Sequence, residues 1–173
     1  CALPISNGRN FCAGADLRDK EAGANQSVID HLEFDHGPIL RTIYDAPKPI
    51  IAAVQGAAAG VGSAYAMVCD LSVMSEDAYI YQAFLTIGLL PDGGANWLLG
   101  HQLPYKRAFE LIADGTKLDA ATCLEWGLTN KVCARDELSE TALAWAHRLS
   151  ERAPLAMGAA KQQLRAVFEQ TYS

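Results

Sequence analysis

The sequence predicts an α/β domain that carries an α-helical C-terminal region, and three observations lead there. The apolar run at residues 48–54, Lys-Pro-Ile-Ile-Ala-Ala-Val, is too continuous for a half-exposed strand and suits one buried on both faces. Strand-like and helix-like segments then alternate along the chain. From Pro104 onward the spacing of apolar residues is helical through four successive segments.

Taken in order, Asn7-Gly8 marks a turn, and residues 11–17, Phe-Cys-Ala-Gly-Ala-Asp-Leu, form a small-residue loop entering the polar segment 18–26. Ser27, with Asp30 three residues on, resembles a capped helix start. Leu32, Ile39, Leu40 and Ile43 continue that helix to about Tyr44, and Gly37-Pro38 kinks or divides it. After the strand at 48–54 come Gly56, three alanines and Gly60-Val61-Gly62, then a helix from Val61 or Gly62 to Cys69. Residues 71–74 and 79–82 read as strands, and 89–94, Leu-Leu-Pro-Asp-Gly-Gly, as a turn opening another helix. Helical spacing follows over 104–113, 119–126, 136–152 and 155–170, with Gly115 and Gly127 as stops and Pro154 as a break. The chain opens on Cys1, and residues 1–6 read as the end of a strand whose partners lie upstream, so a fragment of a longer protein is expected.

Composition narrows the function. At 173 residues, half of them apolar and one-fifth charged, the chain is of a size for one domain with a sizeable core. Its net charge is −6, and the basic residues are spread out, with no run longer than Lys106-Arg107, which argues against nucleic acid as the main ligand. An anionic ligand would need local contacts; Arg9, Arg18 and Lys20 stand near the start, either for that purpose or as ordinary solvated charges. Cys1, Cys12, Cys69, Cys123 and Cys133 form no C-x-x-C pair, and the four histidines are scattered, so a reduced compartment and no metal site are expected. Residues 49–69 carry no charge, but Gln55, Ser63 and three glycines interrupt them, which fits strand, turn and buried helix rather than a membrane span. Cytoplasmic placement is the default expectation.

Two small-residue loops can carry chemistry. A strand followed by glycines and a helix start leaves backbone N–H groups without intrahelical partners, able to stabilise an oxygen that gains negative charge. The loop at residues 11–17 could supply a second such donor, and two loops could converge on one oxygen. The alternative for each is a tight turn that needs glycine for packing alone. Gly60-Val61-Gly62 is also compatible with the start of a dinucleotide fingerprint, but Tyr65 stands at its sixth position and three alanines separate the glycines from the strand. No P-loop Lys-Ser/Thr is present either.

Together these stretches resemble the crotonase (enoyl-CoA hydratase/isomerase) superfamily. The resemblance is carried by Asn10-Phe-Cys-Ala-Gly-Ala-Asp-Leu17, Lys48-Pro-Ile-Ile-Ala-Ala-Val-Gln-Gly56, Ala59-Gly-Val-Gly62, Cys69-Asp70 and Gly88-Leu-Leu-Pro-Asp-Gly-Gly94. Leu111-Ile-Ala-Asp-Gly115, Ala120-Ala121 and Glu125-Trp-Gly-Leu128 follow in the family's order, so the match runs through almost the whole chain. It implies a crotonase-like spiral of β-β-α units with an α-helical C-terminal region, residues 1–134 forming the core and 135–173 the start of the helical region. It further implies that the family's early strands and last helices are missing, that subunits assemble as trimers or hexamers, and that an acyl-CoA thioester is the partner. No redox cofactor or metal is implied, CoA being part of the substrate.

Carried over by position, the resemblance makes the backbone N–H groups of Ala15 and Val61 the two donors of an oxyanion hole. Val61 stands where the family commonly has glycine, and its side chain is expected to narrow the pocket. Ala13, Asp16 and Leu17 fall where the family's loop borders the adenine and pantetheine. Ala64 and Phe84 occupy the positions of the two glutamates that hydratases commonly use, and neither can transfer a proton. Asp92 resembles the catalytic aspartate of certain isomerases, dienoyl isomerases and aromatic-CoA dehalogenases; alternatively it caps a helix opening at Gly93. Phe84, Trp97 and Tyr65 are candidates to face the acyl group, or plain core. Asp70 and Glu76 are expected to be solvated or structural. The reading is an enoyl-CoA isomerase with Asp92 as proton shuttle, the alternatives being a hydratase with an atypical acid and base or a noncatalytic acyl-CoA scaffold.

Overall fold

In the computed structural model, which describes residues 1–16 and 30–167, each pass of the chain lays one strand in each of two sheets. β1 (Ile51–Val54) joins the first sheet, and after a corner at Gln55-Gly56 β2 (Ala57–Ala59) joins the second. The corner needs glycine at position 56: its φ is +56°, and an added Cβ would lie 2.5 Å from both Arg9 O and Asn10 Oδ1. α1 (Gly37–Asp45) precedes this pass and α2 (Val61–Met67) follows it. The next pass repeats the order, β3 (Leu71–Ser75) pairing parallel with β1 and β4 (Tyr79–Tyr81) parallel with β2. One pass earlier the pattern is already present, since Ala2 bridges Ile50 and Cys12 bridges Ala58, both parallel. This is the β-β-α spiral.

The remaining elements close the two sheets and cover them. α3 (Ala95–Gln102) and α4 (Tyr105–Asp114) lead to β5 (Lys117–Asp119), which pairs antiparallel with β4. α5 (Ala120–Trp126) is capped by the Asp119 carboxylate, which accepts from Thr122 N at 2.8 Å. β6 (Lys131–Cys133) then joins β3, and α6 (Leu138–Ser150) and α7 (Pro154–Ala166) follow. The apolar run in β1 has a direct cause. Ala52 and Val54 face the main core with Met74, Ile80, Leu99 and Leu111, while Ile51 and Ala53 face a second core with Val73, Leu138 and Ala142 of α6. α7 is held by charge: Lys161 and Arg165 reach Asp70 at 2.8 and 2.7 Å, which makes Asp70 structural.

Three short strands differ from the sequence reading. Residues 57–59 are a strand rather than part of a turn, and β5 and β6 do not show in the apolar pattern. Each is three residues long, and the alanines of β2 have little intrinsic strand preference, so pairing with neighbours decides their conformation. Gly37-Pro38 does divide the first helix: a wider helical turn over His31–His36 passes into α1 there. Ser27 lies outside the described residues. Among the described residues no helix is long and apolar enough to cross a membrane.

Candidate active site

The two small-residue loops meet. Gly14 (φ +96°) and Gly60 (φ +53°) approach so closely that an added Cβ on Gly60 would lie 3.9 Å from Gly14 Cα, and one on Gly14 would lie 3.0 Å from Ala59 O. Ala15 and Val61 are the next residues in each loop. Val61 is the first residue of α2, so its N–H has no intrahelical acceptor. Among the described residues, neither that N–H nor the one of Ala15 has a backbone or side-chain acceptor. Below the Gly60 turn, Ser63 N and Oγ both donate to Gly60 O, at 3.0 and 2.6 Å, and the fully buried Gln82 donates to Ser63 Oγ at 2.8 Å. This brace holds the carbonyl inward.

The valine side chain is accommodated rather than obstructive. Val61 is 3% exposed and packs beneath Gly93, where an added Cβ would meet Val61 Cγ2 at 2.9 Å and Ala64 Cβ at 3.4 Å. The turn that carries Asp92 therefore rests on the first turn of α2. Ala64 lies wholly buried below it, and Phe84, 5% exposed, reaches the donor turn with Cζ 3.9 Å from an added Cβ on Gly60. Ala13 and Asp16 are exposed on the leading loop, while Leu17, Arg18 and Lys20 lie outside the described residues.

Asp92 does not cap α3. The helix begins at Ala95 with no side-chain cap, because Gly93 (φ +57°) and Gly94 (φ +76°) carry the chain through two left-handed residues first. The carboxyl is half-buried, and its Oδ1 is shielded from solvent without a hydrogen-bond partner among the described residues. Burial raises its pKa from the ordinary aspartate value, and the charge of His36 pulls the other way. His36 Nδ1 and Tyr65 Oη share a 2.7 Å hydrogen bond, ring edge to ring face. The Tyr65 phenol is itself pushed up, first by burial and then by Cys12, Asp35 and Asp92. The sequence offered Asp92 as a proton shuttle and Tyr65 as a candidate to face the acyl group; His36, 56 positions before Asp92, carries no local pattern that would link it to Tyr65.

Beside Gly93 an open, mainly apolar groove of about 610 Å³ runs between α1 and α3, lined by Leu40, Tyr44, Val68, Trp97 and Leu98, with Arg41 as its one charged residue. Trp97, 44% exposed, meets Tyr44 edge-on at 5.8 Å and belongs to this groove rather than to the donor turn. Among the described residues no group of three or more His, Cys, Asp or Glu is placed to hold a metal ion.

Comparison with known proteins places the chain in a family. The family model for enoyl-CoA hydratase/isomerase matches residues 5–173. The chain is 34% identical over 167 residues to 1,2-epoxyphenylacetyl-CoA isomerase of Escherichia coli, covering 95% of this chain and 64% of that protein. It is 32% identical over 163 residues to carnitinyl-CoA dehydratase of Proteus mirabilis, covering 93% and 61%. Among solved structures, an enoyl-CoA hydratase from Polaromonas superposes with a TM-score of 0.90 at 34% identity, over 98% of this chain and 66% of that one. The chain thus spans somewhat less than two thirds of the length of these relatives. With its β-β-α spiral and this match, the chain belongs to the enoyl-CoA hydratase/isomerase family, the crotonase superfamily.

Proposed function

We propose that this protein binds an acyl-CoA thioester and moves a double bond within its acyl group. The thioester oxygen lies between the N–H groups of Ala15 and Val61, which stabilise the negative charge that collects there when a proton leaves carbon. The Asp92 carboxylate takes that proton from the α- or γ-carbon and returns it to the other, so the double bond shifts and no atom is gained or lost. The acyl tail follows the apolar groove past Gly93, Leu40 and Trp97. Ala13, Asp16 and Leu17 border the CoA moiety, and Phe84 keeps water from the reacting carbons. In this reading the subunits assemble as a homotrimer or hexamer.

The observation that carries the reading is Asp92 itself: a half-buried carboxyl with an oxygen left without a partner among the described residues, on a turn seated against the first turn of α2. A buried polar oxygen without a partner is costly to stability and is characteristic of a site kept for a ligand. Asp92→Asn keeps the size and removes the proton acceptor. Exchange of deuterium into the α- or γ-carbon of an enoyl-CoA should fall by about 10²-fold or more, with binding of a nonhydrolysable acyl-CoA retained in calorimetry. Unchanged exchange would retire Asp92 as the base.

The names of the relatives, hydratase and dehydratase among them, favour a second reading in which water adds across the double bond. Ala64 is sealed beneath Gly93 and Phe84 is apolar, so neither side chain can activate water. Hydration of crotonyl-CoA is accordingly expected to be weak or absent, and turnover at the level of a dedicated hydratase would favour the second reading.

A further inference from the structure

Resting on the Val61 N–H as a donor to the thioester oxygen, we propose that Ser63 and Gln82 are positioning residues for the reaction: by pinning the Gly60 carbonyl they set the direction of the Val61 N–H. The Gly60 oxygen and the Val61 N–H belong to one planar trans peptide, so they point in opposite directions and neither turns without the other. Gly60 O accepts from Ser63 N at 3.0 Å and from Ser63 Oγ at 2.6 Å. The Val61 N–H therefore faces away from this brace, and among the described residues it has no acceptor. Gly60 is tied on its other side as well, its own N–H donating to Tyr81 O at 3.0 Å. Gln82 directly follows Tyr81, so the end of β4 holds Gly60 twice, once directly and once through Ser63. Such bracing matters at a glycine, here with φ +53° and ψ −132°, whose torsions no side chain restrains.

The Ser63 hydroxyl has one proton, and Gln82 decides where it goes. Gln82 Nε2 donates to Ser63 Oγ at 2.8 Å, which leaves the hydroxyl proton for Gly60 O. With the amide turned over, Gln82 Oε1 would take that proton, and Ser63 Oγ and Gly60 O would face each other at 2.6 Å as two acceptors with no proton between them. The short contact thus selects the orientation in which Gln82 donates. That orientation leaves Gln82 Oε1 buried and without a partner among the described residues, in a side chain that is 0% exposed. It costs stability that an apolar side chain would not, so packing alone gives no reason for an amide at this position.

The test is the thioester carbonyl stretch of bound hexanoyl-CoA, isotope-labelled at its carbonyl carbon and read by difference infrared spectroscopy, together with deuterium exchange into trans-3-hexenoyl-CoA. Wild type, Ser63→Ala, Gln82→Met and the double variant are compared. In wild type the stretch should move to lower frequency on binding, because the donors draw charge onto the oxygen. In each single variant that shift should shrink by about half or more and kcat for exchange should drop about tenfold or more, with the Kd for hexanoyl-CoA kept within about threefold. The double variant separates positioning from stability. With neither partner left unpaired, its melting temperature should recover toward wild type while the shift and the rate stay low. A full carbonyl shift in both single variants overturns the proposal, as does a shift that returns with melting temperature in the double variant. Should a single variant fail to fold, the shift in the double variant decides alone. If wild type itself shows no carbonyl shift, the donor reading of Val61 fails; if wild type shows it and the variants keep it, the brace alone is refuted.

Discussion

Replacing Gly93 by alanine tests the contact that seats Asp92 on α2. Gly93 has φ +57°, in the left-handed region, where an L-residue costs about 1–2 kcal/mol. The new methyl would sit 2.9 Å from Val61 Cγ2, 3.4 Å from Ala64 Cβ and 3.6 Å from Leu40 Cδ1. Leu40 can swing aside, but Val61 is buried and its β-branched side chain has little rotamer freedom, so overpacking adds about 1–3 kcal/mol. The two contributions give about 2–5 kcal/mol, against a usual total stability of about 5–15 kcal/mol. Urea denaturation of wild type, Gly93→Ala, Val61→Ala and the double variant separates them. Without Val61 Cγ2 the overpacking vanishes and the backbone cost remains, so Gly93→Ala should cost about 1–3 kcal/mol less in the Val61→Ala background. An equal cost in both backgrounds, or a total below about 1 kcal/mol, would refute the seating of the Asp92 turn on Val61.

Asp92→Asn should also change stability with a definite sign. Burial raises the Asp92 pKa above its unfolded value, so the folded state binds this proton more tightly, and stability falls as pH rises from the unfolded toward the folded value. The variant should therefore be at least as stable as wild type at neutral pH, with the difference closing below about pH 4; thermal melts across that range would show it, and a wild type more stable at neutral pH would contradict it. At the other end of the domain, Asp70→Ala should cost about 3–5 kcal/mol in chemical denaturation. It strands the Lys161 and Arg165 charges, whose side chains are 7% and 18% exposed, and removes the acceptor that Ile50 N uses at 2.9 Å. A loss below about 1 kcal/mol would mean that the pair is solvated rather than structural.

Much of this molecule is legible locally. The run at 48–54 announces a doubly buried strand, and Gly115 and Gly127 stop helices with positive φ. Family resemblance through the motifs at 10–17, 48–62 and 88–94 identified the spiral, and it implied the donor role proposed for Ala15 and Val61. Other features have no local signature. β2, β5 and β6 are three residues each, and their conformation is set by partners distant in sequence. Asp92 before Gly-Gly has the look of a helix cap, yet two left-handed glycines place the helix start beyond its reach. His36 meets Tyr65 only because the spiral brings the turn before α1 against α2. The sequence by itself determined the periodic and conformational features, because apolar spacing, glycine's access to positive φ and capping act within a few residues. Only the tertiary structure decided which side chains come together, because a hydrogen bond such as that between His36 and Tyr65, and the burial that shifts Asp92, depend on segments brought together by packing.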